Sequence, residues 1–235
     1  MDKNIVLMHV GKCSGTFLIH NIYKIIPKNN FIHIHHANQP INTLSPNPEL
    51  LIKNRGVVKF ICTFRHPIDR WVSAFNFKCN KFLTKNTPRG QWKNEKEGFQ
   101  KYKTANNLAE QLYDDDGNPD ENAHDFAING CDHFKFNLNH YLCNFNKNHN
   151  VEVIRHEHIN DDFLKIFNVE TIKIEGQLQP NPKKNDEITL KAYNNLKRFL
   201  KQEYDLINNF ASYGFISEEY KQFCCGIPKS TKIKD

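Results

Sequence analysis

The sequence predicts an α/β fold in three layers, a central, mostly parallel sheet with helices on both faces. Three observations carry that expectation. Short apolar runs rich in β-branched residues alternate with segments of helical spacing, the pattern of a parallel sheet and its covering helices. The chain opens on such a unit, the run IVLMHV followed by a loop and then FLIHNIYKII. Hydrophobic residues make up 39% of the 235 residues and include 18 Phe, enough to bury a sizeable interior in one compact domain spanning 1–235.

In chain order, residues 5–10 read as the first strand, and Phe17, Ile19, Ile22, Ile25 and Ile26 recur at helical spacing before Pro27 ends the helix. NNFIHIHHA reads as a second strand and VVKFICTF, residues 57–64, as a third. The third leads into HPIDRWVSAFNF, where Pro67 suits a first helical turn because its missing N–H has no partner to lose there. From 80 to about 125 the chain turns polar, with KNTPRGQWKNEKEG and DDDGNPDEN, and is expected to be helix and loops inserted between core elements. VEVIRHEHI, residues 151–159, returns as a strand, and DDFLKIF follows as a helix capped by Asp161 or Asp162. One last long helix is expected across ITLKAYNNLKRFLKQEYDLINNF, where Leu190, Tyr193, Leu196, Leu200, Tyr204 and Ile207 recur at helical spacing.

The formal charge of +6 suits anionic ligands, but a Lys-rich chain reaches it with no ligand at all, so charge alone selects no function. No stretch approaches the roughly 18 apolar residues of a membrane span. The opening apolar run passes at once into Gly11 and Lys12, so no membrane insertion and no secretory signal are expected, and a soluble, cytoplasmic protein is. Seven cysteines, odd in number and scattered, are not the framework of a small secreted domain and are expected to be mostly reduced. Cys131 to His133 and His140 to Cys143 can be drawn as a zinc site, yet they lack the close CxxC pairing of zinc modules, and no metal is expected.

HVGKCSGTFL invites comparison with the Walker loop, GxxxxGK followed by Ser or Thr. Here Cys13 follows Lys12 and Val6 stands five before Gly11, which disfavours an ordinary NTPase. A strand that runs through Gly11, Lys12, Cys13, Ser14, Gly15 and Thr16 into a helix still points successive N–H groups and a helix N-terminus at one small volume. Lys12 adds a full positive charge, and Ser14 and Thr16 add hydroxyls. FRHPIDRWVSAF supplies a second constellation. Arg65 directly follows a buried strand and Ser73 lies eight residues on, about two helical turns away. A guanidinium fork beside a hydroxyl suits a second phosphate. Arg70, between them, is expected in a structural ion pair with Asp69 or a neighbouring acidic group.

Together the two stretches resemble the sulfotransferases that use 3'-phosphoadenosine 5'-phosphosulfate (PAPS), in particular the carbohydrate sulfotransferases of the heparan sulfate 2-O and 6-O type. HVGKCSGTF is similar to that family's HxxKxxGT loop, which binds the 5'-phosphosulfate, and FRHPIDRWVSAF to its RxPxxRxxSxF element, which binds the 3'-phosphate. Order, a spacing of about fifty residues and strand-helix context agree, and two matched motifs are far more specific than one. The resemblance is close over the first eighty residues; beyond them, VEVIRHEHINDDFLKIF looks like a later strand-helix unit of the family. The sequence departs from the pattern at Cys13, where the family usually has Thr, and at Ser14, where Gly or Ala is common. The family's usual membrane anchor is not evident. The resemblance implies a P-loop-NTPase-like sulfotransferase fold, PAPS as cosubstrate with PAP as product, and donor contacts from Gly11 through Thr16, Arg65 and Ser73.

Sulfuryl transfer needs an acceptor oxygen in line with the leaving oxygen, stabilisation of developing charge and removal of the acceptor's proton. Mg²⁺ is not obviously needed, because the sulfuryl group carries less charge than a phosphoryl group. Lys12 is the candidate for charge stabilisation, and the resemblance puts its counterpart on the bridging oxygen. For the base, FIHIHHAN offers His33, His35 and His36, and an imidazole titrating near neutrality suits that task. Alternation puts His33 and His35 on one face and His36 on the other. The resembling families carry a catalytic His after this strand, which points to His36 first and His35 second. His9, beneath the loop, is expected to orient it. Lys183 and Lys184, in QLQPNPKKNDE, fall where the resembling enzymes close a polar or basic segment over the nucleotide.

The expected acceptor is a hydroxyl, with a glycan as the leading class. Lys78, Lys81, Lys85 and Arg89 would meet an acidic polysaccharide, while Trp92 and Tyr102 would either stack on a sugar or simply pack. Two readings compete: a nucleotide kinase-like phosphoryl transferase, which Mg²⁺-independent turnover would exclude, and a noncatalytic binder of polyanions. No nucleic-acid module is recognisable, so nucleic acid is not an expected partner.

Overall fold

A computed structural model describes residues 4–35, 46–56, 58–84, 95–170 and 187–234. Along the chain run β1 (Asn4–Met8), α1 (Gly15–Ile25), β2 (Phe31–Ile34), α2 (Pro48–Arg55), β3 (Val58–Phe64), α3 (Pro67–Thr84), α4 (Glu95–Tyr102), α5 (Ala105–Glu110), α6 (Glu121–Asn129) and α7 (Asp132–Lys135). There follow α8 (Leu138–Leu142), β4 (Val151–Arg155), α9 (Ile159–Phe167), β5 (Glu187–Thr189), α10 (Leu190–Phe199), α11 (Lys201–Ser212), α12 (Glu218–Cys225) and β6 (Lys232–Lys234). The chain divides into two compact units, one of Met1–Arg65, Phe136–Pro180 and Leu206–Gln222, the other of His66–Lys135, Asn181–Asp205 and Phe223–Asp235.

The first unit holds a parallel sheet in the order β2-β1-β3-β4, as the alternation of strands and helices predicts. Leu7 sits opposite His33 on one side and Ile61 on the other, which fixes the register of β2, β1 and β3. Because side chains alternate across a strand, Leu7, Ile61 and Ile154 all face α1 and α9, where they bury Phe17, Leu18, Ile22 and Phe163. Phe60 and Phe64 point the other way, edge-on to Phe145 and tilted against Phe210, each at 5.0 Å between ring centres. On that same face His149 packs edge-on to Phe60 and meets Glu49 of α2 at 3.1 Å. Helices therefore cover both faces. The chain leaves β1 through α1 to one side and returns past it to β3 on the other, so the crevice between the carboxyl ends of β1 and β3 is a switch point, where open α/β sheets bind ligands.

Local chemistry explains where the elements begin and end. Asn47 accepts from the N–H groups of Glu49 and Leu50, Pro48 opens α2, and Gly56 leaves it at φ 77. Strand β4 stops at Arg155, short of the expected residue 159, because the Arg155 N–H donates to Asp162 Oδ2 at 2.8 Å instead of continuing the ladder. Neither Asp161 nor Asp162 caps α9. Both lie in its first turn, where negative charge suits the helix dipole, and Asp162 clamps the Arg155 guanidinium.

The second unit is built on an aromatic interior. Trp71 stacks on Phe134 at 5.3 Å, and Phe75, Phe99 and Phe126 meet edge to face at 5.1–5.2 Å. Here the reading of 80–125 as material outside the core is corrected, since Phe99, Tyr102, Leu108 and Leu112 are all fully buried. Their apolar positions are diluted by charged neighbours on the solvent side of short helices, which hides them from a composition scan. The expected single last helix is two, α10 and α11, parted at Leu200 (φ -86, ψ 17). Leu200 is itself buried, so the apolar spacing runs unbroken across a break in the backbone.

Burial pushes the Cys62 and Cys131 thiols up, keeping them protonated. Among the described residues no helix is long and apolar enough to cross a membrane.

Candidate active site

In the first unit each strand delivers chemistry at its carboxyl end: His35 follows β2, Gly11–Ser14 follow β1, Arg65 follows β3 and His156 follows β4. Lys12 and Ser14 both adopt left-handed backbone, φ 69 and 64, with Cys13 between them. Such strain costs about 1–2 kcal/mol per residue and is kept where the surroundings hold it in place. Alternating conformations of this kind turn successive N–H groups toward one side, the geometry of an anion-binding nest. Cys13 is fully buried and its N–H donates to Val10 O at 3.3 Å, so this residue closes the turn. Among the described residues no side chain caps the first turn of α1, and that turn contains no acidic residue. Unpaired N–H groups of a first helical turn, together with the helix dipole, suit an anion. Thr16 is exposed on that turn.

Lys12 is half-buried, and burial first, then the Arg65 guanidinium, push its ammonium down to about 8. Arg65 is 9% exposed, and one terminal N–H group donates to Lys12 O at 3.2 Å. Its Nε is buried and has no hydrogen-bond partner among the described residues. A buried guanidinium donor without an acceptor is costly, and a phosphate or sulfate oxygen is the partner its fork geometry matches. The two cations beside the β1/β3 crevice repel one another, a cost that a bound anion relieves.

The histidines gather beside this loop. His9 Nδ1 and His33 Nε2 lie 2.8 Å apart, and His9 stacks on His35 at 4.1 Å between ring centres. His33 and His35 therefore share a face, as alternation predicts. Burial holds His33 below its ordinary value, favouring the neutral ring. Gly15 explains itself here: a Cβ at that position would fall 1.8 Å from His9 Cδ2, so His9 can lie against the start of α1 only if residue 15 has no side chain.

His36, Lys183 and Lys184 lie outside the described residues, as do Lys85, Arg89 and Trp92. Ser73 is half-buried on α3 of the second unit. In that unit Arg70 pairs with Glu203, not with Asp69: Nε and Nη2 donate to the two carboxylate oxygens at 3.3 and 2.9 Å, and Nη1 donates to His133 O at 3.0 Å. Asp69 instead accepts from the Ser230 N–H at 3.2 Å. Lys78 is paired with Asp132 at 2.7 Å, and Tyr102 is packed inside, out of reach of a sugar. Among the described residues no three His, Cys, Asp or Glu side chains converge as a metal site requires, the Cys131–Cys143 segment included.

One contact escaped the sequence altogether. Ser14 Oγ is hydrogen-bonded to His156 Nδ1, a partner 142 residues away in the stretch VEVIRHEHI that reads as a strand.

The sequence model of the sulfotransferase family matches residues 1–206. The chain belongs to the sulfotransferase family. Membership makes it a transferase of sulfuryl groups and fits a parallel sheet whose first strand feeds the loop of residues 11–16. No curated protein and no solved structure matches this sulfotransferase significantly.

Proposed function

We propose that this sulfotransferase takes its sulfuryl group from PAPS and delivers it to a hydroxyl of a carbohydrate, with both units acting as one domain. The observation that carries the donor assignment is the buried Nε of Arg65, without a partner among the described residues, beside Lys12 and a helix start that no described side chain caps. PAPS supplies a sulfuryl group already attached to a good leaving group, a phosphate oxygen.

The chain's own residues then have separable tasks. Gly11, Ser14, Gly15 and Thr16 present N–H and hydroxyl donors to the 5'-phosphosulfate, and buried Cys13 shapes the turn that aims them. Lys12 meets the charge that grows on the bridging oxygen as the bond from sulfur to that oxygen breaks. Arg65 and Ser73 hold the 3'-phosphate, and Lys183 and Lys184 close over the nucleotide. His36, with His35 as second choice, accepts the proton of the acceptor hydroxyl as its oxygen bonds to sulfur, leaving PAP and a sulfate ester. The choice of a glycan acceptor, of the heparan sulfate kind, rests on resemblance in the first eighty residues.

Calorimetric titration with PAP and with ATP, both without Mg²⁺, tests the donor class. PAP is expected to bind selectively; equal affinity for ATP, or no affinity for PAP, would overturn the assignment. For the base, His36→Ala is expected to abolish turnover with PAP binding intact, and near-normal turnover would move the role to His35.

A further inference from the structure

Ser14 stands at the N-cap of α1, where a serine ordinarily accepts a hydrogen bond from the helix's own N–H groups. It does not do so here. At φ 64 and ψ 20 its side chain makes no capping bond and reaches His156 Nδ1 instead. His156 is itself held from both sides. Its predecessor Arg155 is locked to Asp162 through Nε at 2.8 Å, and its successor Glu157 accepts from the Tyr220 hydroxyl at 2.9 Å. The Arg155 guanidinium also lies over the Tyr220 ring at 5.5 Å, so the two anchors brace each other. These anchors hold the backbone on either side of His156 at the carboxyl end of β4, and its Nδ1 meets Ser14 Oγ.

A serine hydroxyl has one proton to give and two lone pairs to receive with. If Ser14 donates to a bare Nδ1, its proton is consumed and it offers an anion only lone pairs, which repel. If Nδ1 carries the proton, His156 donates into Ser14 Oγ and the hydroxyl proton is released to a ligand. From this geometry we infer that His156 is a positioning residue of the donor site: protonated on Nδ1, it turns the Ser14 hydroxyl so that it donates to a phosphate oxygen. The inference deepens the proposed function and rests on its anion-loop part. It also gives a use to Ser14, which the resembling loops replace by Gly or Ala: the Ser14 and His156 pair adds one donor to a loop whose Cys13 cannot supply a hydroxyl.

The test is calorimetry on the full chain with five proteins, wild type, Ser14→Ala, His156→Ala, His156→Asn and the Ser14→Ala/His156→Ala double variant, each checked by thermal melting. Two probes are used, PAP and inorganic pyrophosphate, the second engaging the loop without the nucleoside. His156→Ala and Ser14→Ala should each weaken binding by about tenfold, the scale of one hydrogen bond to a charged group. The double variant should be no weaker than either single one. His156→Asn, whose amide N–H replaces Nδ1–H, should recover to within about threefold of wild type. Unchanged affinity in His156→Ala, additive losses, or an asparagine variant as weak as the alanine while melting normally would each overturn the inference. A wild type that binds pyrophosphate but not PAP would overturn the PAPS reading, and the pyrophosphate series would still decide the role of His156. A wild type that binds neither overturns both.

Discussion

Arg65 and Arg70 stand five residues apart in the sequence, both are buried, and they use their guanidinium groups in opposite ways. In the second unit Arg70 uses Nε, Nη1 and Nη2 on Glu203 and on a backbone carbonyl. Arg65, in the first unit, holds one carbonyl and keeps its Nε without an acceptor among the described residues. A cation whose donors are all engaged has become part of the frame. One left with an unused donor, beside a second cation depressed by burial, has the features of a binding group, the role proposed for Arg65 above. Burial alone would not separate the two, and neither would charge.

The contrast is sharpest in stability. Arg70→Ala strands the Glu203 carboxylate in the interior and is expected to destabilise the fold by about 3–5 kcal/mol, read from urea unfolding. Arg65→Ala loses a single bond to a carbonyl and is expected to cost about 1 kcal/mol of stability while weakening PAP binding by about 10–100-fold. Equal destabilisation by the two variants would erase the distinction.

Gly15→Ala probes the same site from beneath. Its Cβ would overlap the His9 ring, so the imidazole must move, at an expected cost of about 1–3 kcal/mol. Because His9 lies against the loop's helix, PAP affinity should fall as well. A variant that melts and binds like wild type would mean that His9 has no part in shaping the loop.

The smallest effect is a proton. Lys12 titrates near 8 in the folded chain against an ordinary 10.5, so between those values the unfolded chain holds a proton that the folded one has lost. Its burial therefore opposes folding fully below about pH 8, and that penalty fades as pH rises toward about 10.5. An anion beside Lys12 reverses the depression. PAP binding at about pH 8.5 should draw up a fraction of a proton, measurable as a dependence of the calorimetric heat on buffer ionisation, and affinity should decline above about pH 8. Lys12→Met should remove the uptake; uptake that survives in that variant would assign it to another group.

What the sequence revealed and what it hid follow from the range of the interactions. The units β1-loop-α1 and β3-α3 were legible because strand pattern, glycine, lysine and proline all act within a few residues. The side of the sheet shared by His33 and His35 was legible too, since alternation fixes it. Glu203 as the partner of Arg70 lies 133 residues away, and His156 as the partner of Ser14 lies 142 away; no local pattern encodes either. The end of β4 was missed because no glycine or proline breaks VEVIRHEH, while Asp162, seven residues beyond Arg155, takes the amide that would have continued the ladder. Asn47, Pro48 and Gly56 do spell out α2 locally, and that helix could have been read.

The claim that the β1/β3 crevice of this sulfotransferase receives an adenosine bisphosphate is tested most directly by a crystal structure with PAP bound. Phosphate oxygens are expected within hydrogen-bond reach of Lys12 Nζ and of Arg65 Nε. A nucleotide seated elsewhere, or an Arg65 Nε still without an acceptor when PAP is in place, would contradict the account.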